Sequence, residues 1–164
     1  MAPATAHRKK YVGLADFGRF YKECYLQEHR DRVCRAWHFL GTSVLVLIVA
    51  SRPGTGASLA CGAGAGLGLS HATASHKTGA LEMLGALGAF LLAQVAQYGA
   101  SEGPRLWGAV LGAGYGCAWL GHFAFEGNKP ATFTYPSLSL LSDFRMFFDI
   151  ARGAELPTRK AKGS

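Results

Sequence analysis

The sequence predicts an all-α polytopic membrane helical bundle, with about four transmembrane helices and an amphipathic helix near each terminus. Three observations carry this expectation. Four apolar stretches fill the middle of the 164-residue chain. Charged residues make up only 16%, against roughly a quarter in an average soluble domain. The cationic residues also avoid the middle: eight Lys/Arg lie in residues 1–38, six in 126–164, and only Arg52, Lys77 and Arg105 between. A nucleic-acid binder interleaves basic and aromatic residues on its binding element. The net charge of +7 here is instead two basic ends around an apolar middle, the pattern of a membrane protein. A disordered chain is excluded as well, because disorder needs few apolar residues and many charges.

In chain order, residues 1–13 read as a disordered basic leader, 14–153 as one membrane helical domain and 154–164 as a basic cytosolic tail. Phe17, Phe20, Tyr21, Cys24 and Tyr25 recur at helical spacing, so residues 14–28 form an amphipathic helix on the membrane or on the bundle. The first apolar stretch is Trp37–Ser51, closed by Arg52-Pro53-Gly54, and the second is Ala57–Ser70. The third is Ala80–Tyr98, and the fourth runs from Leu106 to Phe125 after Gly103-Pro104-Arg105. The last two approach the roughly 20 residues that cross a bilayer, while the first two are short unless flanking residues extend them. Gly108, Gly112 and Gly116 repeat every four residues, a small-residue ridge that allows close helix approach in lipid. Pro136 and Ser137 open a last helix with Leu138, Leu141, Phe144 and Phe148 on one face, ending at Gly153.

Four crossings put both termini and the 71–79 loop on one side, with all the Lys/Arg except Arg52 and Arg105. The positive-inside rule makes that side the cytosol. The same topology gathers His29, His38, His71, His76 and His122 at one membrane face, together with Glu126, and leaves His7 in the leader. Imidazoles at one depth suit a divalent metal. Ionisable groups at membrane depth are functional by default, which favours His29, His38 and His122. In a polar loop, His71 and His76 read more simply as interfacial anchors. On one straight helix, residues nine apart such as His29 and His38 would face opposite ways. Asp31, a fair N-cap, can supply the bend that turns both inward. His122 and Glu126 share a helix face; Glu126 is either a fourth ligand or an acceptor that fixes an imidazole tautomer. His29, Cys34 and His38 form an alternative zinc set. The cysteines have no C-x-x-C spacing, and in the cytosol they stay reduced.

Two stretches resemble a known family. One is Phe17–Thr42, FGRFYKECYLQEHRDRVCRAWHFLGT, with its His-x8-His frame; the other is Gly114–Ile150, with the core GHFAFEGNKPATF. Together they are similar to the membrane family typified by the fungal 2-hydroxy fatty acid dioxygenase of phytosphingosine breakdown. The resemblance implies an Fe(II) enzyme of the endoplasmic reticulum membrane that acts on a long-chain 2-hydroxy fatty acid and O2 and shortens the acid by one carbon. In a prokaryotic source the membrane would be the bacterial inner membrane. It maps the metal ligands onto His29, His38 and His122, with His76 or His71 as a fourth. It puts Cys34 where the family carries Asn. Three imidazoles leave iron with open positions for a chelating hydroxy acid and for O2. Glu126 and Asn128 are then catalytic or supporting groups, and Lys129 attracts the carboxylate or anchors at the headgroups. Membrane lipid and the acyl chain are the other partners, and no nucleic acid is expected. Lys160 and Lys162, fifth and third from the end of the sequence, resemble a dilysine retrieval signal, which requires a cytosolic C-terminus. The competing readings are a non-catalytic lipid-binding or scaffold membrane protein and a zinc-stabilised membrane protein.

Overall fold

Apolar helices that pack along their length generate this architecture, and no strand occurs among the described residues. The structure, a computed structural model, describes residues 10–76 and 78–158; His7 and the dilysine pair Lys160 and Lys162 lie outside them. The predicted 14–28 helix is broken into a 3-10 turn at Leu14–Asp16, helix α1 at Phe17–Glu23 and a second 3-10 turn at Tyr25–Gln27. Helix α2 spans Arg32–Ser51, α3 Pro53–Ala72 and α4 Ala80–Leu111. A π-helical stretch at Gly112–Gly116, the short α5 at Cys117–Leu120 and a second π-helical stretch at Gly121–Glu126 continue α4. A 3-10 turn at Ala131–Phe133 leads to α6 at Pro136–Ala151.

Two features extend the short apolar stretches. Asp31 caps α2 so that the helix starts at Arg32, five residues before Trp37, and Pro53, with φ already set for a helix and no N–H to satisfy, starts α3 directly after Arg52. Both helices reach 20 residues. In the third and fourth stretches the chain reverses at Gly99, whose φ of 79° is left-handed and free of side-chain strain only in glycine. The reversal is visible in Trp107, whose indole N–H donates to the carbonyl of Leu87, twenty residues earlier, at 3.1 Å. Two helical stretches are long and apolar enough to cross a membrane, Arg32–Ser51 and Ala80–Glu126, the second being this hairpin. Helix α3 is as long as α2 but is diluted by its glycines. The apolar windows are mostly uncovered, with only 33% and 17% of them buried, and Leu47, Leu84 and Leu92 are about 70% exposed. The core helices of a water-soluble bundle would be covered.

At one end of the bundle, Arg52 pairs with Glu102 at 3.1 Å, and the Gln97 amide donates to the carbonyl of Gly54 at 2.9 Å. The opposite end is pinned by Gly79 N–H to the carbonyl of Phe133 (2.8 Å), and by Ser137 N–H to Glu82 (3.0 Å). An aromatic core at this second end joins Tyr11, Phe20, Tyr21 and Tyr25 to Leu138 and Met146. It seats α1 on α6, where the Tyr21 hydroxyl donates to Asp149 at 2.7 Å. A smaller cluster of Leu45, Phe90 and Val110 lies deeper among α2 and α4.

Two expectations are corrected. An added Cβ at Gly108, Gly112 or Gly116 meets nothing within 4 Å, so that ridge packs on nothing among the described residues. Close approach occurs elsewhere, at Gly41 against Ala113 and at Gly62 against Ala86 and Phe90. On helix α6 the apolar stripe divides. Leu138 is buried and Phe148 is 53% exposed, and the buried face also carries Ser137, Ser139, Ser142, Met146 and Asp149. Asp149 turns inward to the Tyr21 hydroxyl, beside the apolar Leu138 and Met146.

The glycine contacts give a stability prediction. A Cβ at Gly62 would lie 2.7 Å from the Ala86 carbonyl oxygen and 2.8 Å from the Phe90 Cβ, whereas Gly64 faces open space. Gly62→Ala is expected to destabilise by about 1–3 kcal/mol through forced separation of α3 and α4. Gly64→Ala is expected to stabilise by up to about 1 kcal/mol through helix propensity. Thermal unfolding of the two variants in one detergent checks the difference in sign.

Candidate metal centre

His29 follows the Tyr25–Gln27 turn, with its ring stacked on Tyr25 at a centroid distance of 3.9 Å. Two residues later the Asp31 carboxylate accepts the N–H groups of Val33 (2.7 Å) and Cys34 (3.1 Å) and so starts α2. The bend at this cap brings His38, on the second turn of α2, back beside His29, with ring centroids 4.5 Å apart. The third imidazole, His122, comes from the π-helical stretch at the end of the hairpin. Its centroid is 4.5 Å from that of His29 and 5.1 Å from that of His38. Gly121 permits this approach, because a Cβ there would sit 3.1 Å from the Cys34 sulfur and carbonyl oxygen. All three rings are buried, and one ring nitrogen from each lies within 4.8 Å of the others.

The Nδ1 atoms determine what the cluster can do. His29 Nδ1–H donates to the Tyr25 carbonyl at 2.6 Å, and His38 Nδ1–H to the Asp143 carboxylate at 2.6 Å. His122 Nδ1–H donates to the Asn128 amide oxygen at 2.7 Å. The Asn128 NH2 in turn donates to the Glu28 carbonyl at 2.9 Å, which fixes which end of the amide faces the ring. Each acceptor is an oxygen without a proton to give, so each ring is protonated on Nδ1 and presents Nε2 as a lone pair. Burial, reinforced by His38 and His122, holds the His29 imidazole well below its usual pKa range, which keeps it neutral. The Nε2 atoms of His29 and His38 are fully buried with no hydrogen-bond partner. Converging neutral nitrogens oriented through their other ring atom are the usual construction of a divalent-metal site, so the residues fit a metal such as iron or zinc.

Asp143 also accepts the Tyr25 hydroxyl at 2.5 Å. Burial, together with the Asp143 charge, pushes the Tyr25 phenol well above its usual pKa, so it remains a donor. Asp143 was missed in the sequence reading. Its signal is two acids, Asp143 and Asp149, interrupting an apolar 16-residue helix, since an acid drawn into a core needs partners.

The remaining candidates separate. Glu126 is buried and accepts the Asp31 N–H at 2.6 Å, which ties the hairpin end to the start of α2. Gly127, at a left-handed φ of 69°, turns the chain back so that the Asn128 amide oxygen accepts the His122 Nδ1–H. His71 and His76 are exposed and outside the three-imidazole group, with His71 packed against Gly13. The exposed Lys129 places its ammonium over the Phe133 ring at 5.0 Å. Cys34 is buried against Gly121 and is not among the clustered ligand atoms.

The imidazoles open into an elongated cavity of about 90 Å³, several times the space one water needs. Its polar lining (the three histidines with Tyr25, Tyr115, Thr132, Ser137, Ser139 and Asp143) comes from the segment 25–29, α2, the hairpin end, the Ala131–Phe133 turn and α6. Its other walls are apolar and reach Leu45, Leu59, Phe90 and Val110. The lining residues Val110 and His122 stand about 18 Å apart along the helix. No curated protein and no solved structure is significantly similar to the chain. A cavity with an imidazole cluster and an apolar interior suits the family that the chain matches: over residues 14–155 it fits the model described as 2-hydroxy-palmitic acid dioxygenase Mpo1-like, and it belongs to that family.

Proposed function

We propose that the protein is an Fe(II)-dependent dioxygenase that shortens long-chain 2-hydroxy fatty acids by one carbon using O2. The observation that carries this reading is the amphipathic cavity: three oriented imidazoles at its polar end and an apolar interior beyond them. The family description supports the substrate class. His29, His38 and His122 hold the metal. Bound Fe(II) supplies open positions for a chelating acid and the one-electron chemistry that triplet O2 requires.

The chain's own groups do the rest. The Tyr25 carbonyl, Asp143 and Asn128 keep each Nδ1 protonated and each Nε2 aimed inward. The Glu126–Asp31 contact holds the elements that carry His29 and His122 together. The apolar walls seat the acyl tail and exclude water from the reacting end. In the balanced reaction a 2-hydroxy acid and one O2 give the shorter acid, CO2 and water. The substrate loses the electrons that reduce O2 completely, so no 2-oxoglutarate or external reductant is required.

In this reading α2, α3 and the two limbs of the hairpin cross the endoplasmic reticulum membrane, with both termini and the imidazole end on the cytosolic side. The positions of Arg52 and Glu102 at the other end and the uncovered apolar faces support that placement.

The test supplies the purified protein with 2-hydroxypalmitic acid, Fe(II) and O2 and looks for the acid one carbon shorter. Equal products with and without O2 would sink the proposal. Zinc in place of iron, with no turnover, would favour a structural metal.

The inner end of the cavity makes a further prediction. Phe90, 1% exposed, closes the cavity among Leu45 and Val110. Phe90→Leu lengthens the apolar space and is expected to raise kcat/KM for longer over shorter acids about tenfold, the discrimination that one methylene gives in an apolar pocket. Competition between acids of different length in one reaction measures it.

A further inference from the structure

Serine hydroxyls inside helices ordinarily turn back onto a carbonyl three or four residues earlier. Ser43, Ser51, Ser58 and Ser70 do this, donating to Phe39, Ile48, Gly54 and Leu67 at 2.7, 3.0, 3.0 and 2.7 Å. The serines on the inner face of α6 do not. Ser137, Ser139 and Ser142 are at most 4% exposed, and none of their hydroxyls has a partner. A buried hydroxyl left unmade is unfavourable, and two of these three line the cavity that holds the imidazoles: Ser137 and Ser139. Ser139 stands one helical turn before Asp143, the acceptor of His38. Ser137 sits against Gly66, where a side chain would collide with its hydroxyl. Neither Lys129 nor Arg145, the cations that flank these serines in sequence, is in the lining.

We propose that Ser137 and Ser139 form the head-group subsite of this cavity, where their hydroxyls bind the carboxylate and 2-hydroxyl of a 2-hydroxy acid. The inference rests on the reading of the cavity as a hydroxy-acid site. A hydroxyl both donates and accepts, so the pair suits a carboxylate, which only accepts, next to an alcohol, which does both. An acid lacking the 2-hydroxyl leaves one of these partners unpaired, and such a site discriminates strongly against it. The ligand then lies with its polar end between α6 and the imidazoles and its tail toward Phe90.

Binding tests this in the full-length protein in lipid nanodiscs, kept anaerobic so that nothing is turned over. Displacement of a fluorescent fatty acid by 2-hydroxypalmitate and by palmitate gives the affinities. Ser137→Ala and Ser139→Ala are each expected to weaken 2-hydroxypalmitate about tenfold, the scale of one hydrogen bond to a charged group, and to reduce the preference over palmitate. Ser142→Ala, whose hydroxyl is equally orphaned but outside the cavity, is the control and is expected to bind as wild type. Melting points of all variants separate lost binding from lost folding. The subsite is wrong if the double variant binds 2-hydroxypalmitate like wild type, or if Ser142→Ala weakens it equally. A wild-type protein that converts the acid while the double variant still binds it normally overturns the subsite alone. A wild type that binds neither acid overturns the functional reading as well.

Discussion

In the proposed reading, His38→Ala is expected to remove the bound iron, and with it the dioxygenase activity. His38 supplies one of three clustered imidazoles, and its Nε2 is buried with no other partner. If a structural four-ligand site gains roughly 10–16 kcal/mol from its metal, one ligand accounts for about 3 kcal/mol or more. That is over a hundredfold in affinity. The ring also packs edge-on against His29 and His122 and bonds Asp143, so its loss costs core packing as well. Iron per chain should drop in the folded protein, and the melting temperature of the metal-free protein measures the packing cost separately. His122→Ala is expected to behave in the same way. Stoichiometric iron and full activity in both variants would show that the cluster is not the centre.

Asp143→Ala is expected to have the second largest effect, a loss of about 10–100-fold in metal affinity. This carboxylate never reaches the Nε2 side of the cluster. It accepts from His38 Nδ1 and from the Tyr25 hydroxyl at the same oxygen. Removing it frees the His38 ring to rotate and to protonate on either nitrogen, and it strands the buried Tyr25 phenol. Asp143→Asn keeps an acceptor oxygen in place and should recover most of the affinity. A merely structural role would not distinguish the two variants by metal affinity once both are folded. Iron titration of each, with wild type beside them, reads the difference.

Much of this was legible in the residues themselves. Asp31 before an apolar run marks a helix start, and its cap produces the bend that lets His29 and His38 meet. Pro53 after Arg52 marks the turn between α2 and α3. The reversal between the third and fourth stretches was legible as a break near Gly103-Pro104, although the hinge itself is Gly99. That difference arises because the reversal needs a left-handed φ, which glycine supplies at Gly99, whereas Pro104 sits inside the returning limb. Asp143 was harder to read, more than a hundred residues from the ring that it orients. Asn128 lay within a recognised motif, but its contact depends on the left-handed turn at Gly127.

The glycine ridge and α6 show the limit of pattern reading. Periodicity states which residues share a helix face; it does not state what that face meets. Gly108, Gly112 and Gly116 share a face and meet nothing among the described residues, while Gly62, in an equally regular series, sits under Phe90. On α6 the apolar stripe contributes Leu138 to the core and leaves Phe148 exposed. Asp149, held by Tyr21, and Asp143, held by His38, join the inward side.

By itself the sequence determined the all-helical class, the segregation of basic residues from the apolar middle and the collection of imidazoles toward one end of the bundle. These follow from composition and local order, which act over a few residues at a time. Only the tertiary structure decided which nitrogen each imidazole presents, which serines remain without partners and where the cavity closes. Those depend on single hydrogen bonds between segments far apart in the chain, such as Asp143 to His38 and Asn128 to His122, and such contacts exist only after the helices have packed.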